Sequence, residues 1–334
     1  MANKLSQLLG RFGLDWFILS LVGMIILASQ FPGPGIAEGP FSISWLANIG
    51  VSLIFFFYGL KLNRSKLVAG LSNWRLHILV QASTFILFPL LVLCLKPWLN
   101  SGDTQILWLG SFFMAALPST VSSSVVMVSI AHGNIPAAIF NASISSLIGI
   151  FITPVWMALV TGGNHNEIDM SDVVKKLLLQ ILLPVVLGLL LNPTRLGKIA
   201  EKYNKQLKYF DQITILSIVY TAFSDSFSQH MFSNLDLLEL ILLGACVLGL
   251  FFVAYFITGG IARLMGFNRE DTITATFCGS KKSLIHGTVM AKVIFMGSPL
   301  MGILLLPIML YHALQLIAVS IIAQGMARKY KQPV

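Results

Sequence analysis

Two stretches of this chain carry residue types that could do chemistry inside an otherwise apolar sequence. The first, Phe277-Cys278-Gly279-Ser280-Lys281-Lys282-Ser283-Leu284-Ile285-His286-Gly287, sets two adjacent lysines between the hydroxyls of Ser280 and Ser283. An ammonium in such surroundings can bind an anion, stand in for a bound cation, or titrate. The second, Met114-Ala115-Ala116-Leu117-Pro118-Ser119-Thr120-Val121-Ser122-Ser123-Ser124-Val125, places five hydroxyls directly after a proline. Pro118 removes a backbone donor, and the carbonyls so freed, with Ser119, Thr120, Ser122, Ser123 and Ser124, can coordinate an ion or satisfy one another within a kinked helix. Gln81, Thr84, Asn141, Ser143, Ser145, Ser146, His312 and Gln315 add polar groups in neighbouring apolar runs. Asn141 and Ser145, four apart, share a helical face, as ligands or as interhelical glue.

The elements that must position these groups follow from composition. Of 334 residues, 56% are apolar and only 10% charged, against roughly 25% charged in ordinary soluble proteins. That excludes a soluble enzyme and calls for a lipid bilayer as partner. A nucleic-acid partner is not expected, because the net charge of +9 is spread over short connections and forms no basic domain. A helical span takes about 20 apolar residues, and ten such runs are read, near 12–30, 43–62, 75–95, 105–131, 135–161, 173–194, 206–224, 236–262, 271–295 and 299–325. The first exceeds a signal-peptide core and lacks an A-x-A site, so it is expected to stay. Cys94, Cys246 and Cys278 stand at unrelated spacings in apolar runs, which suggests neither disulfides nor zinc.

Charge sets the direction of insertion. With both termini cytoplasmic, sixteen of the 22 basic residues fall on inside segments and only Lys96, Lys175 and Lys176 outside. This is the bias of the positive-inside rule, and an even number of spans agrees with it. The expectation is a multi-pass protein of the plasma (inner) membrane. Lys281, Lys282 and Lys292 remain, all in the ninth run; Lys292, near its end, reads as an interfacial anchor. Lys281 and Lys282 are either close to mid-membrane or in a loop between two shorter elements. None of the thirteen acids is central in a span; Asp211 and Asp225, at the ends of the seventh, are the nearest and read as interfacial. A carboxylate-based proton relay therefore has no candidate residues.

The two polar breaks, in runs four and nine, each lead through a Gly/Pro turn (His132-Gly133-Asn134-Ile135-Pro136 and Met296-Gly297-Ser298-Pro299) into a run carrying Pro154 or Pro307. An offset of five spans inverts the second copy, and interrupted helices at corresponding places of inverted halves point to a secondary transporter's binding site. Half-helix N-termini offer N–H groups to an anion, and freed carbonyls can hold a cation.

Several stretches together resemble a known family: Phe55-Phe56-Phe57-Tyr58-Gly59-Leu60-Lys61-Leu62, Trp74-Arg75-Leu76-His77, Leu117-Pro118-Ser119-Thr120-Val121, Tyr220-Thr221-Ala222-Phe223-Ser224 and Cys278-Gly279-Ser280-Lys281-Lys282-Ser283-Leu284. In this order among ten spans the chain resembles, over its whole length, the bile acid:sodium symporter superfamily and its SBF-like branch. The resemblance implies an all-α polytopic fold of ten transmembrane helices in two inverted five-helix repeats. Panel helices 1–2 would occupy residues 1–74 and panel helices 6–7 residues 162–235. Core helices 3–5 would occupy 75–161 and core helices 8–10 residues 236–334, with broken helices 4 and 9 crossing. It also implies alternating access, with substrate between panel and core.

Sodium-coupled members hold sodium with a Ser-Asn pair in span four and a glutamate in the ninth-span break. Here the nearest positions are Ser122, Ser123 and Ser124 without Asn, and Thr276-Phe277-Cys278-Gly279 without a carboxylate. Sodium at Ser123 and Ser124 would sit beside ammonium groups with no counter-anion, which is electrostatically poor. No other cofactor is expected. The leading expectation is a non-enzymatic carrier of a small organic anion, bound by Lys282 or Lys281 with Ser119, Thr120, Ser122, Ser123, Ser124, Asn141, Ser145, Ser280, Ser283 and Gln315. The rivals are a sodium-coupled symporter of bile-acid-like or small carboxylate substrates, and a non-transporting membrane regulator.

Overall fold

The structure is a computed structural model, described for residues 16–61, 73–96, 103–161, 178–231, 236–296 and 298–330. Its elements are helical throughout the described residues. In chain order they are α1 (Trp16–Gln30), α2 (Ile43–Lys61), α3 (Trp74–Leu93), α4 (Asp103–Ala116), α5 (Ser122–Ile130), α6 (Ile135–Thr161) and α7 (Leu179–Leu191). There follow α8 (Arg195–Lys202), α9 (Asn204–Ser228), α10 (Leu237–Leu264), α11 (Arg269–Gly279), α12 (Leu284–Ile294) and α13 (Met301–Tyr330). Five of these, α2, α3, α6, α10 and α13, are long and apolar enough to cross a bilayer; α7 and α8, bent by 104° at the turn between them, make a sixth if counted as one span. The run read at 105–131 is two helices with residues 117–121 non-helical between them. The run at 271–295 is likewise two, with Ser280 to Ser283 between them, so the lysines occupy a link and not a helix. The connection read at 195–205 as hydrophilic is mostly helical: α8 buries Gly197 and Ala200 while Lys198, Glu201 and Lys202 face outward.

Local chemistry explains where several of these helices begin and end. Asn73 caps α3 by accepting from Leu76 N–H, Asn268 caps α11 by accepting from Asp271 N–H, and Ser283 caps α12 by accepting from His286 N–H. α5 stops where His132 turns left-handed at φ 57° and Gly133 N–H returns to the Val128 carbonyl at 2.8 Å. The Asp271 carboxylate then joins three chain segments, accepting from Asn73 Nδ2 at 2.7 Å and from Asn134 Nδ2 at 2.8 Å.

Helices pack in two sets. α2 lies against α7 and α9, and α9 against α1; separately, α3, α4, α5, α6, α10, α11, α12 and α13 pack among themselves. The two sets meet where α9 touches α12 and α13. Large apolar side chains such as Leu19, Ile26, Ile86, Val155, Leu159, Leu190, Ile241 and Phe256 are exposed around the outside. A soluble monomer does not leave so much apolar surface in water, and a bilayer covers it. The interior reverses the usual arrangement, holding Asn141, Ser145, Lys281, Lys282 and Gln315 with no exposure at all.

Candidate functional site

The two non-helical links lie against each other. Ser283 N–H donates to the Pro118 carbonyl at 2.9 Å, and Ser119 Oγ donates to the Cys278 carbonyl at 2.7 Å. Room for Pro118 comes from Gly149 of α6, where a Cβ would meet the proline ring at 2.7 Å. Interrupting a helix orphans backbone groups, and inside a membrane each must find a partner within the protein. Here side chains supply them. Ser145 Oγ accepts from Ser119 N–H at 3.0 Å, Thr153 Oγ1 donates to the Ala116 carbonyl at 2.7 Å, and Tyr311 OH donates to the Ser280 carbonyl at 2.6 Å. The Gln315 amide grips Lys282 at both backbone groups, accepting from its N–H at 3.0 Å and donating to its carbonyl at 2.8 Å. Replacing Ser145 by Ala leaves Ser119 N–H buried without an acceptor, so a loss of about 1–3 kcal/mol is expected. Thermal unfolding in detergent checks this against Ser143→Ala, whose side chain lies outside these contacts.

The two lysines are held differently. Lys282 Nζ donates to three backbone carbonyls, Thr84 at 2.6 Å, Ala115 at 2.6 Å and Leu117 at 2.9 Å, with the Phe88 ring centroid 4.4 Å away. An ammonium has three N–H donors, and all are taken. Lys281 Nζ has one acceptor among the described residues, Ser123 Oγ at 3.2 Å. Neither lysine forms an ion pair with a carboxylate among the described residues. Of the two, only Lys281 has Nζ donors without an acceptor among the described residues.

Around Lys281 the hydroxyls form a relay, Ser123 Oγ donating to Thr120 Oγ1 at 2.8 Å and Thr120 sharing a 2.9 Å bond with Ser124. Ser122's side chain lies outside the described residues. The other residues singled out from sequence are dispersed. Ser280 Oγ donates back to Thr276 O at the end of α11. Asn141 and Ser145 do not act as a pair: Asn141 Nδ2 donates to Ala137 O and its Oδ1 accepts from Gln81 Nε2, while Ser145 turns to Ser119. Lys292 Nζ donates to Ser44 Oγ of α2 at 3.0 Å, joining the two helix sets.

Three side chains around the link of Ser280 to Ser283 were not singled out from sequence. His286 shares a 2.9 Å bond with Ser283 Oγ, and the rings of Phe55 and Tyr58 from α2 lie edge-on at 6.3 and 5.9 Å from it. His286 stands three residues after a capping serine, a spacing that could have flagged it. Tyr58 and Tyr311 reach the region from remote helices, and only packing reveals them. An apolar cleft of about 520 Å³ between α3 and α6, lined by Ile78, Phe85, Ile152 and Trp156 with Gln81 at one wall, lies apart from the lysines.

The hydroxyls of Ser123 and Ser124 are engaged with Thr120 and Lys281, and no carboxylate pairs with Lys281 among the described residues. Among the described residues no cluster of three His, Cys, Asp or Glu could hold a metal.

Apolar membrane-length helices around a buried polar interior describe an integral membrane protein. The chain belongs to the SBF-like CPA transporter family, whose model matches residues 15–328. It is 37% identical over 325 residues to the putative symporter YfeH of Escherichia coli, covering 96% of this chain and 95% of that one. It is 42% identical over 319 residues to the uncharacterized protein PA2026 of Pseudomonas aeruginosa, with 96% and 95% coverage. With sodium/bile acid cotransporter 7 of Danio rerio it shares 28% identity over 321 residues, 94% of each chain. The family is one of transporters and not of enzymes.

Proposed function

We propose that the protein is a secondary active transporter of a small organic anion, working by alternating access without a sodium requirement. The observation that carries this reading is Lys281, fully buried, whose Nζ has one hydroxyl acceptor and no carboxylate partner among the described residues, with a hydroxyl relay beside it. A buried cation in this state is stabilised by an anionic ligand that supplies both the missing acceptors and the missing charge. Anion binding is thus assigned to Lys281, with Ser123, Thr120 and Ser124 behind it. Lys282, whose donors are spent, shapes the link.

In this reading α4 with α5 forms the fourth span and α11 with α12 the ninth, in a ten-span fold of two inverted five-helix repeats. Helices α1, α2, α7, α8 and α9 would be the panel and the rest the core. Movement of the panel, whose α2 brings Phe55 and Tyr58 against His286, would expose Lys281 to one side at a time. Full burial of the lysine fits an occluded stage of that cycle. The charge bias of the sequence supports cytoplasmic termini in the plasma (inner) membrane.

The test is thermal stability of the purified protein with taurocholate, and separately with small mono- and dicarboxylates, in choline and in sodium buffers of equal ionic strength. A ligand at a hundred times its dissociation constant adds about 2.7 kcal/mol to the folded state. Saturable stabilisation of equal size in choline and sodium is expected for the accepted anion, followed by its uptake into proteoliposomes. The sodium/bile acid name of one relative favours a rival, a sodium symporter, which predicts stabilisation by sodium and uptake of the anion only in its presence. A stabilised protein showing no flux in either buffer would support the regulator reading instead.

A further inference from the structure

The three carbonyls around Lys282 are freed by three separate departures from α-helical pairing. In α3, residues Ser83–Leu87 form a π turn, in which Phe88 N–H returns to the Ser83 carbonyl, one residue further than in an α-helix. The next residue, Pro89, has no N–H, so the Thr84 carbonyl has no helical donor. In α4, the Ala115 carbonyl faces Pro118 at three residues' distance, again without a donor, and Ser119 at four, whose N–H goes to Ser145. Leu117 lies past the helix end. Three oxygens with no backbone donor among the described residues therefore converge within 2.6–2.9 Å of one point, two of them at the negative end of the α4 dipole. Freed carbonyls and half-helix C-terminal ends are the groups with which carriers hold a coupling cation.

We infer that these carbonyls form a monovalent-cation site and that the Lys282 ammonium is its permanent, tethered occupant. The match of three donors to three carbonyls, with the π face of Phe88 closing the remaining side, is that of an ammonium. A neutral amine has two N–H groups and would turn its lone pair on a third oxygen. Gln315 fixes the tether by holding both backbone groups of Lys282. The inference goes beyond the anion reading and does not rest on it, since the cage uses neither Lys281 nor the serines. Its consequence is that cutting away the tether opens a site for a free cation where the parent protein has none.

The experiment compares Lys282→Ala with the parent protein by thermal unfolding in detergent. The buffers hold sodium, potassium or n-butylammonium chloride against choline chloride at equal ionic strength. Lys282→Ala is expected to melt well below the parent in choline and to recover saturably with sodium or with n-butylammonium, which restores the lost chain and charge. Lys282→Met, whose thioether chain fills the path, is expected to stay unresponsive, as is Lys281→Met. A folded Lys282→Ala indifferent to every cation overturns the inference. If that variant cannot be purified in any buffer, the parent protein decides. Solid-state NMR of ¹⁵N-lysine-labelled protein at pH 8, compared with Lys282→Arg, is expected to show the Lys282 nitrogen as an ammonium, and a neutral amine there overturns the inference equally. Failure of the anion reading would show as absent ligand stabilisation in the parent and leave both readouts untouched.

Discussion

Lys281→Met is expected to abolish anion-dependent stabilisation and uptake while leaving the protein folded. Methionine keeps the length and apolar stem of lysine and removes the charge. The only bond lost within the described protein is the 3.2 Å contact to Ser123 Oγ, and Ser123 keeps Thr120 as its acceptor. Relieving a buried ammonium that has a single acceptor removes a desolvation penalty, so melting in the absence of ligand is expected to stay at the parent value or rise. On the ligand side, taking one partner from a buried charge pair costs about 2–5 kcal/mol, and each 1.4 kcal/mol is about tenfold in affinity. The apparent dissociation constant should therefore rise by roughly thirtyfold or more. Titration of the accepted anion against variant and parent, with the melting temperature as readout, checks both halves. Unchanged anion affinity would remove Lys281 from the site. A variant that loses affinity and also unfolds would make the lysine structural instead.

The second large effect belongs to the crossing of α2 and α7. A Cβ on Gly188 would stand 2.8 Å from Leu60 N and 3.0 Å from Gly59 Cα, and closer still to the Phe56 carbonyl oxygen. A Cβ on Gly59 would meet the Val185 carbonyl oxygen and lie 2.9 Å from Leu189 N. These neighbours are backbone, so no side chain can swing aside. Small residues let membrane helices approach this closely, which explains why two glycines persist in helices where alanine would favour helix formation by about 1 kcal/mol each. Gly188→Leu forces the helices apart, beyond the ordinary overpacking cost of about 1–3 kcal/mol because the clash is with main chain. Loss of monodisperse protein on size exclusion, or a large fall in melting temperature, is expected. Gly23→Ala, with open space around the added methyl, is the control and should melt with the parent. A Gly188→Leu variant that behaves like that control would mean the crossing is looser than described.

The pair of predictions separates what each level of organisation decides. Apolar run lengths, the scarcity of charge and the two proline-hydroxyl and lysine-hydroxyl stretches were legible in the chain, because bilayer insertion is a property of composition along a segment and polar groups there stand out. The runs near 43–62, 75–95, 135–161, 236–262 and 299–325 correspond to α2, α3, α6, α10 and α13 within a few residues. The amphipathic α8 was read as a connection because its apolar residues are too few to form a run, although Leu196, Ile199 and Ala200 fall on a helical period.

The site was legible in its residue types and not in its pairings. Adjacent lysines of identical chemistry were interchangeable on paper, and the sequence reading put Lys282 first. Successive residues of a link point in different directions, so one ammonium turned to the hydroxyls of Ser123 and the other to main-chain oxygens. Those oxygens belong to Thr84, Ala115 and Leu117, far away in sequence, and a carbonyl carries no mark of its residue type. Asn141 and Ser145 show the same limit: a shared helical face brought them near each other, yet Gln81 and Ser119, from two different elements, claimed them separately. The sequence by itself determined that this protein lives in a bilayer and keeps hydroxyls and lysines at two interruptions, since composition and proline act locally. Only the tertiary structure decided which lysine is spent and which is free, because hydrogen-bond partners inside a membrane are chosen by the geometry of packed helices.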